Sequence, residues 1–202
     1  MVALGKGTRQ WEGMQHRYVF GYGSLVNRAT LDRPDDAHPA ELHGWARCWR
    51  HIASRQVAIL TAVQKKDAVI AGLVVGVAEA DWGKLERREE AYDRASVSTV
   101  THALETDTAT SVFHIPADKH PLASAPRPIL LSYLDVVVQG YFRVFGESGV
   151  AAFFETTEGW DAPILNDRAD PIYPRHQLLT SKETALVDHH VARLPAQVQK
   201  RM

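Results

Sequence analysis

A single cysteine, Cys48, stands in 202 residues, so the chain cannot close an intramolecular disulfide, and a reducing compartment, with the cytoplasm as default, is the expected setting. Long hydrophobic runs are also missing. The longest, Val69 to Ala78, falls far short of the roughly 20 apolar residues a membrane-spanning helix needs. Neither sign of charge is in excess: 23 basic residues against 24 acidic leave no general attraction to nucleic acid or to an anionic membrane. Ten histidines include no His-x-x-x-His pair, and Cys-x-x-Cys is absent, so no metal site is expected. Met1 to Arg17 contains Trp, Glu, Gln and His where a signal peptide needs an unbroken apolar stretch, and no targeting segment is expected.

The remaining composition is that of an ordinary globular protein, long enough for one domain with a substantial core. Residues 1–16 show no period and read as a loosely held lead-in; a single domain is expected over 17–202. Tyr18-Val19-Phe20 reads as a first strand running into a glycine-rich turn. Further strands are expected over Glu41 to Trp49, Val57 to Val63, Val69 to Ala78, Ala95 to Leu104 and Ser111 to Ile115. Helical patterns cover Glu79 to Glu90, then Ile129 to Phe145, Val150 to Glu155 and Thr180 to Ala192. Strands first and helices later, without strict alternation, predict an α+β domain: a curled sheet or small mixed β-barrel flanked by helices. Trp160 to Arg175, with three prolines, reads as a long irregular connection of the kind that borders pockets.

Two features carry chemistry. Gly21 and Gly23 flank Tyr22, and glycine lets a ligand approach the main chain closely, so the N–H groups of Tyr22, Gly23, Ser24 and Leu25 are candidates to bind a carboxylate. The alternative is a tight turn that merely ends a strand. On a helix over Glu79 to Glu90, Trp82, Leu85 and Glu89 share one stripe, placing a carboxylate where an apolar residue belongs. Desolvation would raise its pKa toward the range of a general acid and base. The competing reading is that the helix ends by residue 88, or that Arg88 or Arg94 pairs with Glu89. Glu86 and Glu90 read as the solvated face.

These residues carry a resemblance. Phe20-Gly21-Tyr22-Gly23-Ser24-Leu25 resembles the Tyr-Gly-Ser loop of the gamma-glutamylcyclotransferase-like family, which includes AIG2-like proteins and gamma-glutamylamine cyclotransferases. The block from Leu85 to Val97, with Arg88-Glu89, Tyr92 and Arg94, is similar to that family's glutamate block. Ser132-Tyr133 with Gly140 is similar to a looser third block. The chain departs from the pattern at Glu90-Ala91, where the family often has glycine.

The resemblance implies the family's mixed barrel with flanking helices, no cofactor, and a small gamma-glutamyl substrate. It also implies Glu89 as catalytic acid and base with Tyr133 assisting it, and Tyr22, Gly23, Ser24, Leu25, Tyr92 and Arg94 at the substrate. For Tyr22 and Tyr92, packing beside the pocket is an equal expectation. The implied reaction is cyclisation of a gamma-glutamyl compound to 5-oxoproline. A non-catalytic binding module and a gamma-glutamyl hydrolase or transferase are the alternatives. Ser24 lacks a Gly-x-Ser-x-Gly setting, and Cys48 reads as a packing thiol.

Overall fold

The structure is a computed structural model that describes residues 17–104 and 109–200; the lead-in expected over 1–16 lies outside them. Strand β1 (Arg17–Gly21) buries Val19 and Phe20. Strands β2 (Ala37–Arg50) and β3 (Ile59–Val77) pair antiparallel along most of their length. The sequence suggested two strands where β3 is one, because the polar run Gln64 to Asp67 looks like a break. The chain instead carries that run as a bulge opposite Gly44, where the register shifts between His43 and Trp45. Gly44 and Asp67 take positive φ there, 78° and 63°.

Conversely, Ala95 to Leu104 divides into β4 (Asp93–Val97) and β5 (Val100–His102), and β6 (Ala109–His114) follows. The two-residue strands β7 (Ile129–Leu130) and β8 (Thr157–Glu158), with β9 (Ile164–Asn166) and β10 (Val198–Lys200), have too little pattern to be read in advance. Among the described residues a mixed sheet runs β4-β6-β1-β3-β2-β5, with β8 added on β2, and β10-β9-β7 form a small parallel sheet. The large sheet curls into a half-barrel, giving the α+β architecture with flanking helices that the sequence implied.

The expected helix over 79–90 is shorter. A 3-10 turn at Glu79–Asp81 leads into α1 (Trp82–Arg88), and Glu89 has already left helical geometry at φ −103°, ψ 25°. The helices expected over Ile129 to Phe145 and Val150 to Glu155 are joined in α2 (Leu131–Glu155), broken at Gly146 with φ 69° and ψ −166°. Its first turns are buried on nearly all sides, including Leu134, Val137, Val138 and Tyr141, as befits a helix enclosed between the sheet and later chain. Helix α3 (Ser181–Val191) begins with a reciprocal cap between Thr180 and Glu183. Among the described residues no helix is long and apolar enough to cross a membrane.

Beneath the half-barrel lies Arg47, 1% exposed, and no carboxylate pairs with it among the described residues. Its Nη1 donates to Tyr141 Oη (2.6 Å) and to the Ala71 carbonyl (3.0 Å), its Nε to Thr157 Oγ1 (3.1 Å) and its Nη2 to Thr156 Oγ1 (2.5 Å). Thr156 caps α2, so the cation faces the negative end of that helix. Tyr141 Oη lies 3.0 Å from the Tyr22 carbonyl, joining this buried charge to the glycine loop.

Candidate active site

The loop leaving β1 is shaped by close approaches that only glycine permits. A Cβ on Gly23 would lie 2.6 Å from Tyr133 Oη, and one on Gly21 would lie 2.5 Å from the Leu25 Cβ. After a 3-10 turn at Ser24–Val26, buried Asn27 fastens the loop to α2 by donating from Nδ2 to the Val136 carbonyl and to Gln139 Oε1, both 2.9 Å. Gly140 allows that contact, since a Cβ there would meet the Asn27 nitrogen at 2.6 Å.

This packing brings together three stretches far apart in sequence. Tyr22, Gly23, Ser24 and Leu25, then Glu89 and Tyr92, then Tyr133 all line one cavity of about 340 Å³, with Leu60 and Phe113 completing its wall. Arg94 is not brought there. Its guanidinium lies over the Trp82 ring and pairs with Glu86 (3.4 Å) in a well-exposed position. Glu90 pairs with Arg55 (3.3 Å), so Glu86 and Glu90 do form the solvated face.

Glu89 lies past the end of the helix, as the competing reading had it, and not on the helical stripe. The helix has ended, and Arg88 Nε approaches Glu89 Oε1 at 3.3 Å, yet the carboxylate is only 15% exposed. Burial pushes its pKa upward, opposed first by Arg88 and then by Arg175. Arg88 also donates from Nη2 to Ser24 Oγ (3.0 Å), so that hydroxyl is held by a cation rather than by a base.

The tyrosines differ in role. Tyr22 donates its hydroxyl to the Phe113 carbonyl (2.6 Å) and Tyr92 to the Leu60 carbonyl (2.9 Å), which commits both protons to the main chain. The Tyr133 hydroxyl instead has the Ser24 backbone amide against its oxygen, while burial holds its pKa well above the ordinary value. Its proton is therefore the one oriented by no carbonyl in the wall.

Sequence reasoning did not single out Tyr173 and Arg175, although it placed them in an irregular segment expected to border a pocket. Asp167 fixes that segment to the start of α2 by accepting from Ser132 N (2.8 Å), Ser132 Oγ (2.6 Å) and Ile172 N (2.9 Å). Arg168 adds a two-pronged pair with Asp135 (2.7 and 2.6 Å) and a contact with Asp188 (2.7 Å). Tyr173 is thereby set edge-on against Tyr133, with ring centroids 5.0 Å apart.

A half-barrel carrying a glycine loop, a sheltered glutamate and a helix-borne tyrosine in one cavity has the gamma-glutamylcyclotransferase-like fold. A solved structure described as gamma-glutamyl cyclotransferase superposes with a TM-score of 0.54 at 14% identity, over 86% of this chain and 98% of that one. The uncharacterized human protein loc79017 gives 0.57 at 14% identity, over 86% and 99%. YkqA of Bacillus subtilis gives 0.51 at 16% identity; the match takes in 90% of this chain but spans only 56% of YkqA. At these identities the likeness establishes the fold. No family model matches the sequence, and no curated protein matches it significantly.

Proposed function

We propose that the chain is a gamma-glutamylcyclotransferase-type enzyme, a single domain acting on a small gamma-glutamyl compound in the cytoplasm without a cofactor. The observation that carries this reading is the sheltered Glu89 carboxylate, with its raised pKa, sharing a cavity with the glycine loop and the Tyr133 hydroxyl. A gamma-glutamyl compound presents an α-carboxylate, an α-ammonium and a γ-amide. Main-chain N–H groups of the loop hold the α-carboxylate, which folds the flexible substrate into its cyclising shape and removes entropy from the barrier. Glu89 takes a proton from the α-ammonium. The freed α-nitrogen attacks the γ-carbonyl carbon, forming the new C–N bond, and Tyr133 donates a hydrogen bond to the oxygen as it gains charge. When the tetrahedral species collapses, Glu89 returns the proton to the departing nitrogen as its bond breaks, then takes the second proton from the ring nitrogen and passes it on, so that the amine leaves as an ammonium. The products are 5-oxoproline and a free amine.

Incubation of the purified protein with gamma-glutamyl amines, gamma-glutamyl amino acids and glutathione, followed by mass spectrometry, tests the reading. Release of 5-oxoproline by the native chain and not by Glu89→Gln is the expected result. Glutamate in its place would make the protein a hydrolase, and saturable binding without turnover would make it a binding module.

A further inference from the structure

A second cavity of about 450 Å³ opens beside the candidate active site and shares Leu60, Tyr92 and Tyr133 with it. Beyond those shared residues its wall is Val57, Ala58, Ile59, Leu130 and Tyr173. The lining contains no charged side chain, and the Tyr92 hydroxyl is already committed to the Leu60 carbonyl. Resting on the cyclisation reading, we infer that this cavity receives the departing half of the substrate, and that the departing group is an amine with an uncharged aliphatic or aromatic chain.

The neighbouring surfaces decide the direction. Another cleft, which Leu25 and Arg88 help to line, is rich in charge. Three of its four cations are already engaged: Arg88 by Glu89, Ser24 and the Thr30 carbonyl, Lys84 by Asp81, and Arg33 by Asp36 and Asp81; the fourth, Arg175, acts on Glu89 through its charge. A leaving group bearing a carboxylate, such as an amino acid or a dipeptide, thus has only Arg175 to meet there among the described residues. In the apolar cavity it would leave its charge in a site whose lining holds no counter-ion. An alkyl or aryl chain suffers no such penalty. It also packs against Tyr173 and Tyr133, whose edge-to-face contact fixes one wall of the cavity. Tyr133 borders both spaces, so a chain seated here keeps its nitrogen beside the cavity that holds Glu89.

The test compares gamma-glutamyl ethylamide, butylamide and phenethylamide with gamma-glutamylalanine and glutathione, reading 5-oxoproline. The expected result is a kcat/KM at least tenfold higher for butylamide and phenethylamide than for either carboxylate-bearing donor. A gain of roughly threefold per methylene should separate ethyl from butyl, the size set by burial of each added CH2. Turnover of glutathione or gamma-glutamylalanine at an equal or higher kcat/KM overturns the inference while leaving the cyclisation reading intact. Silence from every donor overturns both. Val57→Arg, checked for a native melting temperature, should lower kcat/KM for butylamide about tenfold and raise it for gamma-glutamylalanine. An unchanged order of preference in that variant overturns the placement of the leaving group.

Discussion

The Tyr133 hydroxyl occupies the space that a side chain at Gly23 would need: a Cβ there would lie 2.6 Å from it. Loop and helix are therefore fitted to each other through one missing methyl group. Gly23→Ala should destabilise the protein by about 1–3 kcal/mol, the usual range for forcing extra volume into a packed site. On a Tyr133→Phe background, where the obstructing oxygen is gone, the loss should be smaller. A double-mutant cycle in chemical denaturation reads the difference, and equal losses in both backgrounds would refute the fit.

Glu89→Gln should lower kcat by roughly two to four orders of magnitude, the range for loss of a positioned acid and base. The amide keeps the shape of the side chain, so the melting transition should stay close to that of the native chain. Steady-state kinetics and calorimetry on the same sample give both quantities.

The pH dependence follows from the raised pKa of Glu89. Between the ordinary carboxylate value and the raised one, the folded chain keeps a proton that the unfolded chain has lost. The folded state thus binds more protons in that window, and stability falls as pH rises through it. Compared with Glu89→Gln, the native chain should lose relative stability across the window. The same ionisation produces the base, so the acid limb of kcat should sit above the ordinary carboxylate range. Arg88→Met removes the main opposing influence and should move that limb to higher pH; an unmoved limb would take Arg88 out of that role.

Asp167 is 1% exposed and accepts two hydrogen bonds from Ser132 at the start of α2 and one from Ile172 N within its own segment. Asp167→Ala would strand the two buried donors of Ser132 and should destabilise the protein by about 2–4 kcal/mol, more than one net hydrogen bond is worth. Urea titration provides the measurement. Because Tyr173 follows Asp167 on that segment, KM should rise more than kcat falls.

The phenols make a further contrast. Tyr22→Phe removes the donor to the buried Phe113 carbonyl and should show mainly as lost stability, about 1–3 kcal/mol. Tyr133→Phe should show mainly as lost kcat. A reversed pattern in melting and kinetic measurements would exchange their roles.

Much of this was legible in the chain, for reasons that vary by element. The glycine loop was readable as a tight turn after the first strand because Gly21 and Gly23 stand so close together, with carboxylate binding and a plain strand-ending turn as its two readings. The apolar stretch over Ile129 to Phe145 was readable as a helix, although Ile129 and Leu130 form β7 instead. Glu89 was reached by an argument only half right: Trp82 and Leu85 do lie on α1, but the helix stops at Arg88, so Glu89 is sheltered by its position past the helix end rather than by membership of the stripe. Arg94 sits in the matching block of sequence yet points to Trp82 and Glu86, because contacts across a fold do not follow proximity along the chain. Tyr173 and Arg175 carry no periodic signal at all. Their placement depends on Asp167 and Arg168 meeting α2, a long-range match that local patterns do not encode.

Arg47 remains a permanent charge in the foundation of the molecule. A guanidinium keeps its charge across the ordinary pH range, and here it is held by neutral oxygens, by the rings of Tyr141 and Phe153 at 5.3 and 5.0 Å, and by the partial charge of a helix end. Two hydrogen bonds, through Tyr141, separate it from the Tyr22 carbonyl. Its field is screened less than that of a surface lysine, since little water lies between. The electrical bias of the glycine loop is thus built in from below, steady where Glu89 is variable: one charge sets the background against which the other can switch.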